Sequence, residues 1–462
     1  MDAILLVDLG STYTKLTVVD IEKESIVATS KALTTADTDL MIGFNEAFGM
    51  LKRDISRVDI NFIDRLACSS AAGGLKMIAV GLVPELTAEA AKRAALGAGA
   101  RLMETYSYEL SRSEVEEIKE MKPDMILLAG GTDGGNKECI IHNARLVASN
   151  IKNVPIVVAG NKKAADTIED IFKEENIAYK ITENVMPKMN VLNVQPAREA
   201  IREFFMDEIV KAKGMENIEG FIGGILMPTP SAVLKAAKVL ADGTDNEEGL
   251  GDLLVVDIGG ATTDIHSIGK GEPSKSNVMM RGLEEPYEKR TVEGDLGMRV
   301  SALALWESAG SKLAKDVMGG TKYDIKKRCE YLSQNINTLS KTQDEILFDE
   351  ALGYMAAKIS MDRHTGAIEK EYSPMGVIYI QEGKDLQNTE YLIATGGVLT
   401  HSNNPRRILT GGLFDEENPQ LLKPKKPKML VDRDYILSAM GLLSEKYPDQ
   451  AVRILKKHLV KV

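Results

Sequence analysis

Leu253-Leu-Val-Val-Asp-Ile-Gly-Gly-Ala-Thr-Thr-Asp-Ile-His-Ser-Ile268 opens on an apolar, β-branched run, reaches Asp257, passes two glycines and two threonines, and leaves through Asp264. β-Branched residues favour extended chain, and glycines let backbone amides come close to a ligand. The stretch therefore reads as strand, tight turn, strand, with a turn shaped to hold phosphate. Near the N-terminus the same layout recurs as Ala3-Ile-Leu-Leu-Val-Asp-Leu-Gly-Ser-Thr-Tyr-Thr-Lys-Leu-Thr-Val-Val-Asp20. Asp8 matches Asp257 and Gly10 matches Gly259. Ser11, Thr12 and Thr14 supply hydroxyls as Thr262 and Thr263 do, and Gly260 and Lys15 complete the two turns. One Asp-x-Gly between strands is an ordinary turn, whereas two in matching order point to an internal duplication.

Each half carries a second glycine turn behind an apolar run. These are Met125-Ile-Leu-Leu-Ala-Gly-Gly-Thr-Asp133 in the first and Tyr391-Leu-Ile-Ala-Thr-Gly-Gly-Val398 in the second. Turns at strand ends are where open α/β sheets take ligands. Gly130, Gly131, Thr132 and Asp133 are thus candidates to meet a terminal phosphate and order a water, the alternative being a structural turn. Gly396 and Gly397 close the second half's turn.

At 462 residues the chain is too long for one core and fits two to three domains. A hydrophobic content of 44% and a charged content of 27% are those of a soluble globular protein. The net charge of −11 argues against nucleic acid or an anionic membrane as partner. The one basic cluster, Lys423-Pro-Lys-Lys-Pro-Lys428, is short and proline-punctuated and reads as a linker. Cys68, Cys139 and Cys329 are too scattered for a metal site or a disulfide framework and fit reduced thiols in a cytoplasm. No signal peptide and no membrane-spanning run is visible.

In chain order, three strands of a meander precede a helix at about 40–53 and a strand at 63–67. The small-residue segment 67–77 reads either as close backbone packing or as a loop lining the ligand site. Thr87 is expected to N-cap a helix from 88 to about 103, and a second helix is expected over 113–121. Residues 141–228 read as an α/β insertion or elaboration of a first domain spanning 1–140. Thr229 is expected to N-cap, with Pro230 at the first turn, a connecting helix that opens a second domain over 229–425. Residues 242–249 form a candidate hinge. Glu293, Asp295 and Arg299 enter a helix with two glycines, either as an anion site or as a simple cap. His401 is expected to cap a helix, and 430–462 to carry a C-terminal helix packing on the first domain. Asp264-Ile-His-Ser-Ile-Gly269 formally matches the pattern that presents a cobalt-ligating histidine in cobalamin enzymes. It starts inside a hairpin rather than on an exposed loop, so it reads as coincidence.

The paired turns resemble the actin/Hsp70/sugar-kinase superfamily. That resemblance implies an α/β fold of two duplicated ribonuclease-H-like, actin-like ATPase domains around a nucleotide cleft, binding ATP or ADP with Mg²⁺. Asp8, Gly10, Ser11, Thr12 and Lys15 would form the first phosphate motif; Asp257, Gly259, Gly260, Thr262, Thr263 and Asp264 the second; Gly396 and Gly397 the adenosine motif. Asp8 and Asp257 would position the hydrated metal, with Asp133 a third catalytic candidate.

Several longer stretches, Val7 to Lys15, Cys68 to Met77, Leu128 to Asn136, Val256 to Asp264 and Val292 to Arg299, resemble the MutL/GlmL family. Its members are accessory proteins of adenosylcobalamin-dependent glutamate (methylaspartate) mutase, unrelated to the mismatch-repair protein of the same name. The resemblance implies a slow, chaperone-like ATPase that releases damaged cobalamin from the mutase subunits. The alternatives are a small-molecule kinase, with Asp133 or Asp264 as base, and a non-hydrolysing nucleotide-bound scaffold.

Overall fold

The computed structural model describes all residues except 11, 36–37, 57–58, 71–74, 211–219, 224–225 and 374–375, and the side chains of 207–210 and 373. The chain divides into two compact units. The first comprises Met1–Val19, Val27–Ser231 and Gly282–Glu284, and the second Asp20–Ile26, Ala232–Arg281 and Glu285–Val462.

The first unit holds two sheets. Strands β1 (Asp2–Leu9), β2 (Tyr13–Asp20), β3 (Ser25–Leu33) and β4 (Asn61–Ser69) come first in the chain. They are followed by β5 (Lys76–Gly81), β6 (Arg101–Ser107), β7 (Met125–Leu128), β8 (Ile156–Val158), β9 (Tyr179–Ile181) and β10 (Met227–Pro228). One sheet runs β10-β4-β1-β2-β3 and the other β6-β5-β7-β8-β9. β1 is parallel to β4 and β4 to β10. The three residues between β1 and β2 are too few for a parallel crossover, so that pair is a hairpin. The second sheet is parallel throughout. Its central strands β5, β7 and β8 are apolar runs apart from Lys76 at the start of β5, as a sheet covered on both faces requires, while the edge strands β6 and β9 carry polar residues.

In the second unit the strands are β11 (Leu253–Ile258), β12 (Thr263–Ile268), β13 (Val278–Arg281), β14 (Glu288–Glu293), β15 (Ala367–Ser373), β16 (Gly376–Glu382), β17 (Tyr391–Thr395), β18 (Lys428–Asp432) and β19 (Leu459–Lys461). The main sheet is β14-β12-β11-β17-β18-β19, and β13-β16-β15 form a small separate sheet. β11–β12 and β12–β14 are antiparallel, while β11–β17 and β17–β18 are parallel. The central strand β11 has its hairpin partner β12 and then β14 on one side and two parallel strands on the other, and the order β10-β4-β1-β2-β3 sets out the strands around β1 in the same way. The duplication is therefore one of topology, and the fold is α/β with repeated mixed sheets.

Several sequence expectations change here. The strand that stands beside β1 as β17 stands beside β11 is β4, not β7, which lies in the other sheet. The partner of the Thr395-Gly-Gly turn is thus the chain leaving β4, whose residues 71–74 lie outside the described residues. The helix expected over 88–103 is Glu89–Gly97, and its expected last residues belong to β6. Thr87 is no N-cap: its hydroxyl accepts from the amides of Leu82 and Val83. Residues 141–206 continue the first unit, where β8 and β9 extend its parallel sheet. Residues 430–462 fall within the second unit, ending in the helix Pro448–His458 and β19. Among the described residues no helix is long and apolar enough to cross a membrane.

Candidate functional site

β1 is buried from Ala3 to Leu9 and carries Asp8 one residue before its end. The turn that follows is closed by the Gly10 amide donating to the Tyr13 carbonyl at 3.1 Å. A side chain at Gly10 would put its Cβ 2.6 Å from that carbonyl oxygen, so this tight turn admits only glycine without shifting backbone. Ser11, a candidate phosphate ligand, lies outside the described residues. Thr12 is exposed at the turn. Thr14 is fully buried and shares a hydrogen bond with the Thr34 hydroxyl at 3.1 Å, so its side chain serves the meander.

Asp8 is 3% exposed, and groups from three other positions close in on it. The Thr229 hydroxyl donates to Oδ1 at 2.7 Å, the Cys68 thiol lies 3.6 Å from the same oxygen, and Lys15 Nζ is 3.5 Å from Oδ2. β-Sheet register makes this convergence: Asp8 pairs with Cys68 across β1–β4, and Cys68 with Met227 across β4–β10. All three strands present their carboxyl ends here, the place where open parallel arrangements bind ligands. Burial, and next the Asp8 charge, push the Cys68 thiol well above its ordinary range, so it stays protonated and inert.

The second unit repeats the design. Asp257 again stands one residue before the end of its strand, and Gly259 N donates to Thr262 O at 2.9 Å. Asp257 pairs with Thr395 on β17, as Asp8 does with Cys68 on β4. Gly396 follows Thr395 at φ +93°, and a Cβ there would lie 2.3 Å from Ile258 O and 2.8 Å from Asp257 Oδ1. The glycine lets the chain leaving β17 press against the aspartate. A Cβ at Gly397, by contrast, meets nothing within 4 Å. The turn itself is pinned by Met298 N to Gly259 O at 3.0 Å and Arg299 N to Gly260 O at 2.8 Å. Arg299 is in turn paired to Asp349 at 2.8 Å.

Several candidates have inward tasks. Thr263 is 0% exposed and donates to Leu296 O at 2.7 Å. Asp264 accepts from Arg290 Nη2 at 2.6 Å and Nε at 3.0 Å, and from the Thr262 hydroxyl at 3.0 Å. Glu293 and Asp295 are both held by Arg363, at 2.6 and 2.8 Å. His266 is buried on β12 between Val255 and Arg290, and burial pushes its ring down to about 3, so it presents no ligand on an exposed loop. His401 ends the helix Gly397–His401, while Asn404 caps the next one.

Gly130, Gly131 and Thr132 follow β7 in the parallel sheet of the first unit. Asp133 ties that loop down: its Oδ1 accepts from Lys162 N and from Asn184 Nδ2, each at 3.1 Å. Asn184 also donates to Gly131 O at 2.9 Å. The contacts of Asp133 are thus with the loops after β8 and β9, not with Asp8.

A family model described as MutL protein matches residues 4–459, nearly the whole chain. The chain belongs to the MutL protein family. A curated relative in it, Protein MutL from Clostridium tetanomorphum, is 60% identical over 462 residues, covering 100% of both chains. The activator of 2-hydroxyisocaproyl-CoA dehydratase from Clostridium difficile, solved with bound ADPNP, is similar at 10% identity and TM-score 0.31, covering 98% of this chain and 97% of that one. Ligand-bound xylulose kinase from Lactobacillus acidophilus is similar at 11% identity and TM-score 0.37, covering 100% and 93%. In this chain the contact that sequence reasoning missed is Thr229 on Asp8. Its signal was the proline-flanked Met227-Pro-Thr-Pro-Ser231, which reads equally well as a helix start.

Proposed function

We propose that the chain is an ATP-binding accessory protein that serves adenosylcobalamin-dependent glutamate mutase, using Mg-ATP to open the mutase and release damaged cobalamin. One observation carries the nucleotide part: the Asp-x-Gly turn, with its aspartate at the same strand position and its glycine amide closing on the third residue, is built twice. Each turn would act as a phosphate-holding element through main-chain amides, joined in the first by the exposed Thr12 hydroxyl. The residues of each turn fit a Mg-nucleotide. Gly10 and Gly396 let backbone close tightly beside the aspartate of their own unit, Lys15 offers a cation beside Asp8, and a carboxylate at either strand end would take waters of a hydrated Mg²⁺. The metal would neutralise phosphate charge when bound. Gly397, open at the end of β17, suits the adenosine side.

The mutase part is supported by membership of the MutL family. ATP shifts the mutase toward an open state only as far as the nucleotide-bound and free forms of this chain differ in affinity for it. The kinase alternative is weakened by its own candidate bases, since Asp264 is paired with Arg290 and Asp133 is fastened to its loop. The experiment is to load glutamate mutase with hydroxocobalamin, then add this protein, Mg-ATP and fresh adenosylcobalamin. Recovery of mutase activity that requires both ATP and the protein is expected. No recovery, with Mg-ATP still bound, would contradict the accessory role and return the kinase and scaffold readings.

A further inference from the structure

The first unit assigns a task to a residue far from either hairpin. β10 is only two residues long and lies at the edge of its sheet, where Pro228, lacking an N–H, costs no ladder bond. Its pairing with the end of β4 delivers the next residue, Thr229, beside Asp8, 221 positions away in sequence. A threonine at a helix start ordinarily turns its oxygen back to accept from its own helix's amides. Here the hydroxyl donates outward to Asp8 Oδ1 at 2.7 Å, and the Cys68 thiol sits 3.6 Å from both oxygens. Oδ1 is thereby engaged from the β4–β10 side, while Oδ2 faces Lys15.

We infer that Thr229 is a positioning residue that holds the Asp8 carboxylate in one orientation through Oδ1. The inference rests on the proposed Mg-ATP reading of Asp8. A hydrogen bond to a charged acceptor fixes one rotamer of the carboxylate, and without it the side chain must be ordered by the ligand. Removing the donor therefore weakens the response to Mg²⁺ more than the affinity for nucleotide alone, which a purely structural threonine would not do.

The test uses the full-length protein and follows ATP hydrolysis against Mg²⁺ concentration, alongside ATP binding in EDTA and the thermal midpoint. Thr229→Val keeps the shape and removes the donor; it is expected to raise the half-saturating Mg²⁺ concentration by about tenfold or more. Binding in EDTA and the midpoint should stay near wild type. Thr229→Ser, which keeps the hydroxyl, should restore the Mg²⁺ response to within about threefold of wild type. Thr229→Ala repeats the loss if valine misfolds. An unchanged Mg²⁺ response in the valine and alanine variants would overturn the positioning role while leaving the Mg-ATP reading intact. A wild-type protein that neither binds nor hydrolyses Mg-ATP would overturn both.

Discussion

Individual positions separate residues that hold the fold from residues with open space beside them. Gly396 and Gly397 are adjacent and differ completely. Gly396→Ala must relieve a Cβ 2.3 Å from Ile258 O at φ +93°, a strain of about 1–3 kcal/mol, and should lower the denaturation midpoint and displace Asp257. Gly397→Ala has open space and should leave the midpoint unchanged. Equal effects in urea titrations of the two variants would contradict this placement. Lys384 makes a different kind of prediction. It is 0% exposed and donates to Tyr287 O at 2.7 Å. Burial, then the neighbouring Lys289, bring its amine down to about 7. The unfolded amine titrates near ~10.4, so between about pH 7 and that value the unfolded chain holds a proton that the folded chain lacks. Stability should accordingly rise with pH across that window and be insensitive to this group below it. Lys384→Met should flatten the rise, as read from urea midpoints at about pH 7 and about pH 9.5.

At the scale of elements, the second hairpin is held as much by what lies beneath it as by its own turn. Arg290 on β14 is 6% exposed and answers the Asp264 carboxylate on β12. Arg290→Leu would leave that carboxylate buried and unpaired, an expected loss of about 3–5 kcal/mol in chemical denaturation. A loss under about 1 kcal/mol would show the pair to be dispensable. The hairpins were legible because short continuous apolar, β-branched runs and Asp-x-Gly turns are local signals. β6 was not, because the alanine-rich run before it carries helical propensity onward. What stops that helix is Gly97 and Gly99, the latter at φ +93°, together with the pairing of 101–107 along β5. The helix Gln343–His364 has no bounds legible in the sequence, since it is buried at its C-terminal half on several faces and shows no amphipathic stripe. The Thr229–Asp8 contact escaped the sequence for a third reason: it is brought about by sheet register, which no local pattern records, although the helix does start at Thr229.

Across the whole molecule, the duplication visible in two short stretches proves to be a repeated sheet topology, and its correct pairing, β4 with β17, emerges only from strand order. Membership of the MutL family follows from a match along nearly the entire chain, whereas the identity of the ligand rests on the two turns. If those turns hold Mg-ATP, the folded chain is stabilised by mass action, by about 2.7 kcal/mol at a ligand concentration of one hundred Kd, and the thermal midpoint should climb with Mg-ATP concentration. The most direct measurement is a calorimetric titration of Mg-ATP into the full-length protein and its Asp257→Ala variant, with circular dichroism to verify folding. Saturable one-site binding by the wild type, lost or sharply weakened in a folded variant, is the predicted result. Equal affinity in both, or no binding by the wild type, would contradict the assignment of the twin turns to nucleotide.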